Sequence, residues 1–393
     1  MNSGDLLALH YTTRQPWRVA WHNGRITALK PASGIGPGFE KGKEDAGRMP
    51  AARWLAPALF DLQINGYDGV DFQRDDLSLE QLLHATRSLR RDGCGQFFFT
   101  LITDEWPKML ARLEHAWKLR AQSPEIADAL AGWHIEGPFL SDQPGFCGAH
   151  NPAWMINPTA EHLRTLRAVT GHDPVLLTLD PARPGAIGAI RLARTLGLTV
   201  SLGHTDAPAE VLRAAVEAGA TGFTHLGNGC PRQLDRHDNI LWRVCDEPRL
   251  GVSLIPDGHH VSPAPFRLLH RLLDDRLVYY TTDAMAAAGA GPGRYTIGGI
   301  AVEVGADQIV RQPGQTNFAG SALRPIDAVF RAATMLHSPW QECWRRFSET
   351  PPQFVSLRND QAEGSRGPLC LVTVAEEGRL DEMQTLLLGT GSR

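Results

Sequence analysis

From Pro57 to Ala284 the chain repeats one pattern eight times: a short apolar run, a break, and a segment with helical periodicity. The runs are "PALFDLQING" (57–66), "GQFFFTLIT" (95–103), "LAGWHIEG" (130–137), "PVLLTLD" (174–180), "LTVSLGH" (198–204), "TGFTHLG" (221–227), "LGVSLIPDG" (250–258) and "LVYYTTDA" (277–284). Eight strand–helix units in succession predict an α/β fold, a (β/α)8 TIM-like barrel. The intervening segments carry helix signals. Ser78 with Gln81 forms a capping box ahead of Leu82, Leu83 and Leu89. Met109, Leu110, Leu113 and Trp117 are expected on one helical face. Pro208 suits a first helical position before Val211, Leu212 and Ala215, and Ser262-Pro263 repeats that start before Phe266, Leu269 and Leu273.

The flanks read differently. Residues 1–56 hold short apolar runs such as "WRVAWHNGRITALK" broken by turns, and 31–50, rich in Gly, Pro and charge, is expected as a loop. Short apolar runs return at 366–384. The expected division is a small β domain formed by the N- and C-terminal segments, 1–56 and 346–393, beside a barrel over 57–345.

Composition narrows the partners. A chain of 393 residues with 42% hydrophobic and 21% charged residues has the balance of an ordinary globular protein with room for a large core. A formal net charge of −4, with no basic run interleaved with aromatics, gives no reason to expect nucleic acid. No stretch approaches the roughly 18 apolar residues of a membrane span, and the N-terminus lacks a basic start followed by a long apolar core. Six cysteines without a C-x-x-C argue against a disulfide framework or a zinc knuckle. A reduced, cytoplasmic protein is expected.

In a barrel of this kind the chemistry sits at the C-terminal ends of the strands. Gln63 and Asn65 end strand one, Glu136 strand three, His204 strand five, His225 strand six and Asp283 strand eight, while Asp257, His259 and His260 follow strand seven. "WHIEGPFL" carries a carboxylate to the end of a buried strand and then breaks at Gly137-Pro138. Left dry and unpaired it would cost several kcal/mol. A divalent cation shared by Glu136, His204 and His225 would resolve that cost, since two imidazoles and a carboxylate are a common catalytic zinc set. The competing readings are structural. A strand-end His can simply be hydrogen-bonded, and Asp283 can cap a helix. The coincidence of suitable side chains at four strand ends favours the metal.

These stretches, with "GAHNP", "THLGNGCP", "IPDGHHV" and "FAGSAL", run from about residue 55 to 323 in an order that resembles N-acetylglucosamine-6-phosphate deacetylase, a family of the amidohydrolase superfamily. The resemblance implies that Glu136, His204 and His225 are metal ligands and Asp283 the catalytic aspartate. It implies that His150, beside Ala149, binds substrate and helps polarise the amide carbonyl. Asn228 and Gly229 fall where the family contacts sugar or phosphate, and Phe318, Ala319 and Gly320 match a loop lining the sugar. Arg236 and His260 match phosphate contacts, which in the family can come from the partner subunit of a homodimer. Binuclear members of the superfamily have His-x-His where this chain has Gln63 and Asn65, and strand four, ending "LTLDP", offers no lysine to bridge two ions. One divalent ion per subunit, zinc by preference, is expected.

The chain also departs from the family. The usual Asn-Ala-Met is here Asn228-Gly229-Cys230, and "PRQLDRHDNILWR" is atypical, so Arg232 and Arg243 rival Arg236. Arg236 could instead pair with Asp235 or Asp238 on a surface loop. Cys147 and Cys230 have no evident partner and read as packing residues rather than nucleophiles. Three functions stay open: a metal-dependent deacetylase of a small amino sugar phosphate, N-acetylglucosamine 6-phosphate by preference; an amidohydrolase acting on another amide, such as N-acetylgalactosamine 6-phosphate or an unphosphorylated sugar; and a non-catalytic binding protein on this fold.

Overall fold

The computed structural model describes residues 3–23, 25–32, 52–314, 318–357, 368–375 and 379–388. The predicted loop at 31–50 lies outside these from residue 33 onward, as do 358–367, 376–378 and 389–393 of the expected terminal domain.

Strands β1 (Ser3–His10), β2 (Pro16–His22), β3 (Arg25–Pro31) and β4 (Ala52–Pro57) come from the N-terminal segment. The large sheet follows: β5 (Leu59–Ile64), a two-residue ribbon of β6 (Gly66–Tyr67) with β7 (Val70–Asp71), then β8 (Cys94–Ile102), β9 (Leu130–Glu136) and β10 (Val175–Leu179). It continues through β11 (Thr199–Leu202), β12 (Gly222–Phe223), β13 (Gly251–Leu254) and β14 (Val278–Tyr280). Its eight strands lie in the order β14-β13-β12-β11-β10-β9-β8-β5, all parallel, at the eight predicted runs.

Closure between β5 and β14 rests on few contacts. Ile64 bridges Ala284, the Asn65 N–H donates to the Ala284 carbonyl at 2.7 Å, and the buried Asp61 carboxylate accepts from the Thr281 and Thr282 hydroxyls at 2.5 and 2.6 Å. Asp61 thus serves as a side-chain staple where the backbone ladder is thin.

Helices α1 (Leu79–Arg91), α2 (Trp106–Gln122), α3 (Pro124–Ala129), α4 (Ala160–Thr170), α5 (Ala186–Thr195), α6 (Ala209–Ala218), α7 (Ile240–Cys245) and α8 (Pro263–Leu272) follow the strands in turn. The Ser78–Gln81 capping box is present, and Pro263 is the first residue of α8. Pro208 is the cap of α6 rather than its first residue. Trp117 differs from expectation: it stands 43% exposed, while Met109, Leu113, Ala116 and Leu119 form the inward face. Each residue turns a helix by about 100°, so the position after Ala116 is carried off that face.

After β14 an antiparallel sheet of β15 (Gly293–Ile297), β16 (Ile300–Val304) and β17 (Val310–Arg311) projects from the barrel mouth, an insertion the periodicity did not announce. Helices α9 (Pro325–Leu336), α10 (Trp340–Ser348) and α11 (Thr350–Phe354) complete the wrapping. Strands β18 (Leu369–Val374) and β19 (Leu380–Leu388) then close a small barrel, β1-β2-β3-β19-β18-β4, so both termini build one β domain. The alternation of β18 explains its unbroken apolar run. Leu369 and Leu371 enter the small barrel's core while Cys370 and Val372 join the large one. Among the described residues no helix is long and apolar enough to cross a membrane.

Candidate active site

Glu136 is the last residue of β9, and its side chain meets two imidazoles supplied from beyond the ends of β11 and β12, two and three strands along the sheet. His204 and His225 each stand two residues beyond their strand, and Asp283 three beyond its own. All three adopt left-handed backbone, with φ of 50°, 33° and 52°. That region costs a non-glycine residue energy and occurs where surrounding structure holds it in place. Here it breaks the strand alternation and aims the three side chains over the barrel mouth.

The ligand atoms of Glu136, His204 and His225 lie within 4.8 Å of one another, and all three residues are buried. Glu136 Oε1 is 2.7 Å from His225 Nε2 and 3.5 Å from His204 Nε2. Burial pushes the Glu136 carboxyl up, but the contacts with His204 and His225 outweigh it and hold the group well below the usual range. Burial alone would make His225 a weaker base, yet the bond to Glu136 raises it. His204 gives its Nδ1–H to the Phe146 carbonyl at 2.9 Å, which can only accept. Its Nε2 therefore carries the lone pair and faces Glu136. Among the described residues His225 Nδ1 is buried without a partner. Two nitrogen donors and one carboxylate oxygen, gathered in a dry site, fit a divalent cation.

Two amides tie this group to Asp283. Gln63 Nε2 donates to Glu136 Oε2 at 3.0 Å and to Asp283 Oδ1 at 2.9 Å, and Asn65 Nδ2 donates to the same Asp283 oxygen at 2.7 Å. Burial and the Glu136 charge push Asp283 up to about 7, against the opposing pull of His225, His260 and the Asn65 bond. His150 stands on the other side, with Nε2 3.9 Å from Glu136 Oε2. Its Nδ1 accepts the Thr103 backbone N–H at 3.3 Å, so the proton sits on Nε2. Burial, helped by neighbouring His204, lowers its pKa to about 3 and keeps the ring neutral.

The site opens into a cleft of about 540 Å³. Asn65, Ala149, His150, Asn228, Gly229 and His260 all line it, as do Phe318 and Gly320. Ala319 is buried in the core beneath. Asp257 acts one step back, its carboxylate accepting the N–H groups of His259 and His260 at 2.8 Å and holding His260 Nδ1 at 2.6 Å.

Arg236 is not among the lining residues; Arg232 and His259 are. The loop after Leu234 folds on itself. Asp235 Oδ1 accepts the N–H groups of His237 and Asp238 at 2.7 and 3.1 Å, and Asn239 Nδ2 donates to the Asp235 carbonyl at 2.6 Å. This leaves Arg236 exposed. Asp238 pairs instead with Arg243, whose guanidinium also reaches Asp206, so Arg243 is committed to the loop's framework. Thr103, which fixes the tautomer of His150, escaped the sequence reading. Its place as the last polar residue of "GQFFFTLIT" was the available signal. Ile297 and Ile300, from the β15–β17 insertion, complete one apolar wall.

No family model matches the chain. It is 30% identical over 305 residues to the N-acetylglucosamine-6-phosphate deacetylase of Vibrio furnissii, covering 78% of this chain and 74% of the relative. It is 33% identical over 282 residues to the N-acetylgalactosamine-6-phosphate deacetylase of Escherichia coli O157:H7, covering 71% and 72%. Among solved structures, the N-acetyl-D-glucosamine-6-phosphate deacetylase of Mycobacterium smegmatis in complex with N-acetyl-D-glucosamine-6-phosphate superposes with a TM-score of 0.81. It is 25% identical and covers 98% of this chain and 100% of that one. The Pasteurella multocida enzyme, at 23% identity and a TM-score of 0.80 over 97% of both chains, shares the fold.

Proposed function

Because the chain belongs to the N-acetylglucosamine-6-phosphate deacetylase family of the amidohydrolase superfamily, we propose that it hydrolyses the acetamide of an N-acetylhexosamine 6-phosphate, N-acetyl-D-glucosamine 6-phosphate by preference, to acetate and the amino sugar phosphate. The observation that carries this reading is the convergence of Glu136, His204 and His225 within 4.8 Å beside Asp283, with Gln63 spanning both carboxylates.

Glu136, His204 Nε2 and His225 are the residues that would hold the cation, proposed as one zinc ion per subunit. When bound, such an ion supplies Lewis acidity that eases ionisation of a water and polarises a carbonyl oxygen. A single ion fits the roles of Gln63 and Asn65. Both turn amide N–H groups toward carboxylates and so present donors, not ligands, at the end of β5. Asp283 takes a proton from the attacking water and returns it to the departing nitrogen, a dual task suited to a carboxyl poised near neutrality. His150 donates its Nε2–H to the oxygen on which negative charge develops.

Asn228, Gly229, Ala149 and Phe318 are assigned to the sugar. Arg232, His259 and His260 line the chain's own cleft apart from His150 and the metal-binding histidines, and they are assigned to the phosphate. Arg236, exposed outside that cleft, fits a contribution to the partner's cleft in a homodimer. A cytoplasmic setting suits the six cysteines, all free. The galacto epimer stands as a second reading, favoured by the 33% identity to the N-acetylgalactosamine-6-phosphate enzyme. Acetate release from N-acetylglucosamine, N-acetylgalactosamine and their 6-phosphates tests both. The proposal expects the gluco 6-phosphate to give the highest kcat/KM. A higher value for the galacto 6-phosphate would transfer the assignment, and no acetate from any of them would reject it.

A further inference from the structure

We infer that Gly148 and Gly229 are positioning residues for His204, backing the ring so that Nε2 keeps its direction toward Glu136; this rests on the metal-site reading above. A Cβ built on Gly148 falls 2.8 Å from His204 Cε1 and 3.2 Å from Nδ1. One built on Gly229 falls 2.8 Å from Nδ1 and 3.0 Å from Cε1. Gly148 therefore backs the Nδ1–Cε1 side of the ring, and Gly229 backs Nδ1, Cε1 and also Cγ, at 3.0 Å, while Nε2 is left to face Glu136. Both glycines have φ of 60°, where a side chain is disfavoured in any case.

The ring has little room to yield. His204 is 5% exposed, and its Nδ1–H is held by the Phe146 carbonyl. The loop is pinned on each side of Gly148. Two residues before it, Phe146 supplies that carbonyl. Two residues after it, His150 is fixed through Nδ1 to Thr103. The second loop leans on the first, since a Cβ on Gly145 would meet Pro231 at 2.7 Å. A methyl at position 148 must then displace the ring rather than the backbone, and Nε2 moves with it. The same two loops carry Ala149, His150, Asn228 and Gly229 to the cleft, so the substrate walls and the ligand ring form one packed unit.

The test compares Gly148→Ala and Gly229→Ala with Gly93→Ala in the purified full chain. Gly93 is the control: it also has positive φ (86°) and is crowded, but by Met383 at 2.7 Å instead of His204, and it lies outside the cleft lining. Zinc affinity is read by chelator competition, the site by the visible spectrum of the cobalt-loaded protein, and folding by thermal melts of the metal-free forms. Gly148→Ala is expected to weaken zinc binding by about 10- to 100-fold, the usual effect of disturbing what orients a metal ligand, and to alter the cobalt spectrum. Gly229→Ala should act in the same direction and carries the test if the first variant fails to fold. Gly93→Ala should keep wild-type affinity and spectrum. Wild-type zinc affinity in a folded Gly148→Ala or Gly229→Ala protein, or an equal loss in Gly93→Ala, would overturn the inference. Absence of metal binding in the wild type would instead reject the metal-site reading beneath it.

Discussion

The backbone N–H of Thr103 donates to His150 Nδ1 at 3.3 Å, and that single bond decides which nitrogen of His150 can act on a substrate. With Nδ1 committed as acceptor, the ring offers Nε2–H to the site. Burial keeps it neutral, with a pKa of about 3. His150→Phe fills the volume but removes the donor. It should lower kcat by roughly 10²- to 10³-fold, the cost of losing one oxyanion donor, and leave metal content unchanged. Loss of the metal in this variant would make His150 a ligand instead. Because the ring is neutral at any pH above about 3, it should add no acid limb to the pH–rate profile between pH 5 and 8.

Asn65 sets where that limb falls. Its amide donates to Asp283 at 2.7 Å and favours the ionised carboxyl. Burial and the Glu136 charge already push Asp283 up to about 7. Asn65→Leu removes the bond, so the pKa should rise further. A base works only when ionised, so kcat/KM should fall more at pH 6 than at pH 8.5, and the acid limb should move to higher pH. A uniform loss at all pH values would show that Asn65 acts on substrate rather than on Asp283.

Much of this was readable in the chain. The eight apolar runs gave the strands, because a parallel strand buried on both faces reads as an unbroken apolar stretch. The strand-end rule led to Glu136, His204, His225 and Asp283 without any contact information. What stayed hidden depends on long-range or loop geometry. Asp61 lies inside "FDLQI", and nothing local shows that it faces Thr281 and Thr282 across the barrel seam. The exposure of Arg236 follows from Asp235 capping its own loop, a closure that the string "LDRHDN" permits but does not dictate. Trp117 was misplaced because four apolar positions fit a helical face almost as well one residue off.

The seam itself is open to test. Asp61 accepts from Thr281, from the hydroxyl and N–H of Thr282, and from the Gln63 N–H. Asp61→Ala leaves these buried donors without their acceptor, which should cost on the order of 3 kcal/mol. The expected result is a lower urea midpoint, with a far-UV spectrum that still shows a folded barrel at zero denaturant. An unchanged midpoint would mean that the Ile64–Ala284 bridge closes the barrel unaided.

Phosphate recognition separates two arginines. Arg232 lines its own cleft and Arg236 does not. Arg232→Ala should raise KM for a 6-phosphorylated substrate by roughly 10- to 100-fold, equivalent to about 1.5–3 kcal/mol for a charge-assisted contact. KM for the unphosphorylated analogue should scarcely change. Arg236→Ala should matter only where a partner subunit is present, so its effect should vanish on dilution to monomer. An effect of Arg236→Ala that persists in monomers would place that side chain in its own cleft.

The central claim is that one cation, held by Glu136, His204 and His225, makes this barrel a deacetylase. Zinc titrated into metal-stripped protein, with acetate release from N-acetyl-D-glucosamine 6-phosphate as the readout, tests it most directly. The account predicts no acetate from the stripped protein and a linear rise to a plateau at one equivalent of zinc per chain. Full turnover before any zinc is added, or a plateau only at two equivalents, would contradict it.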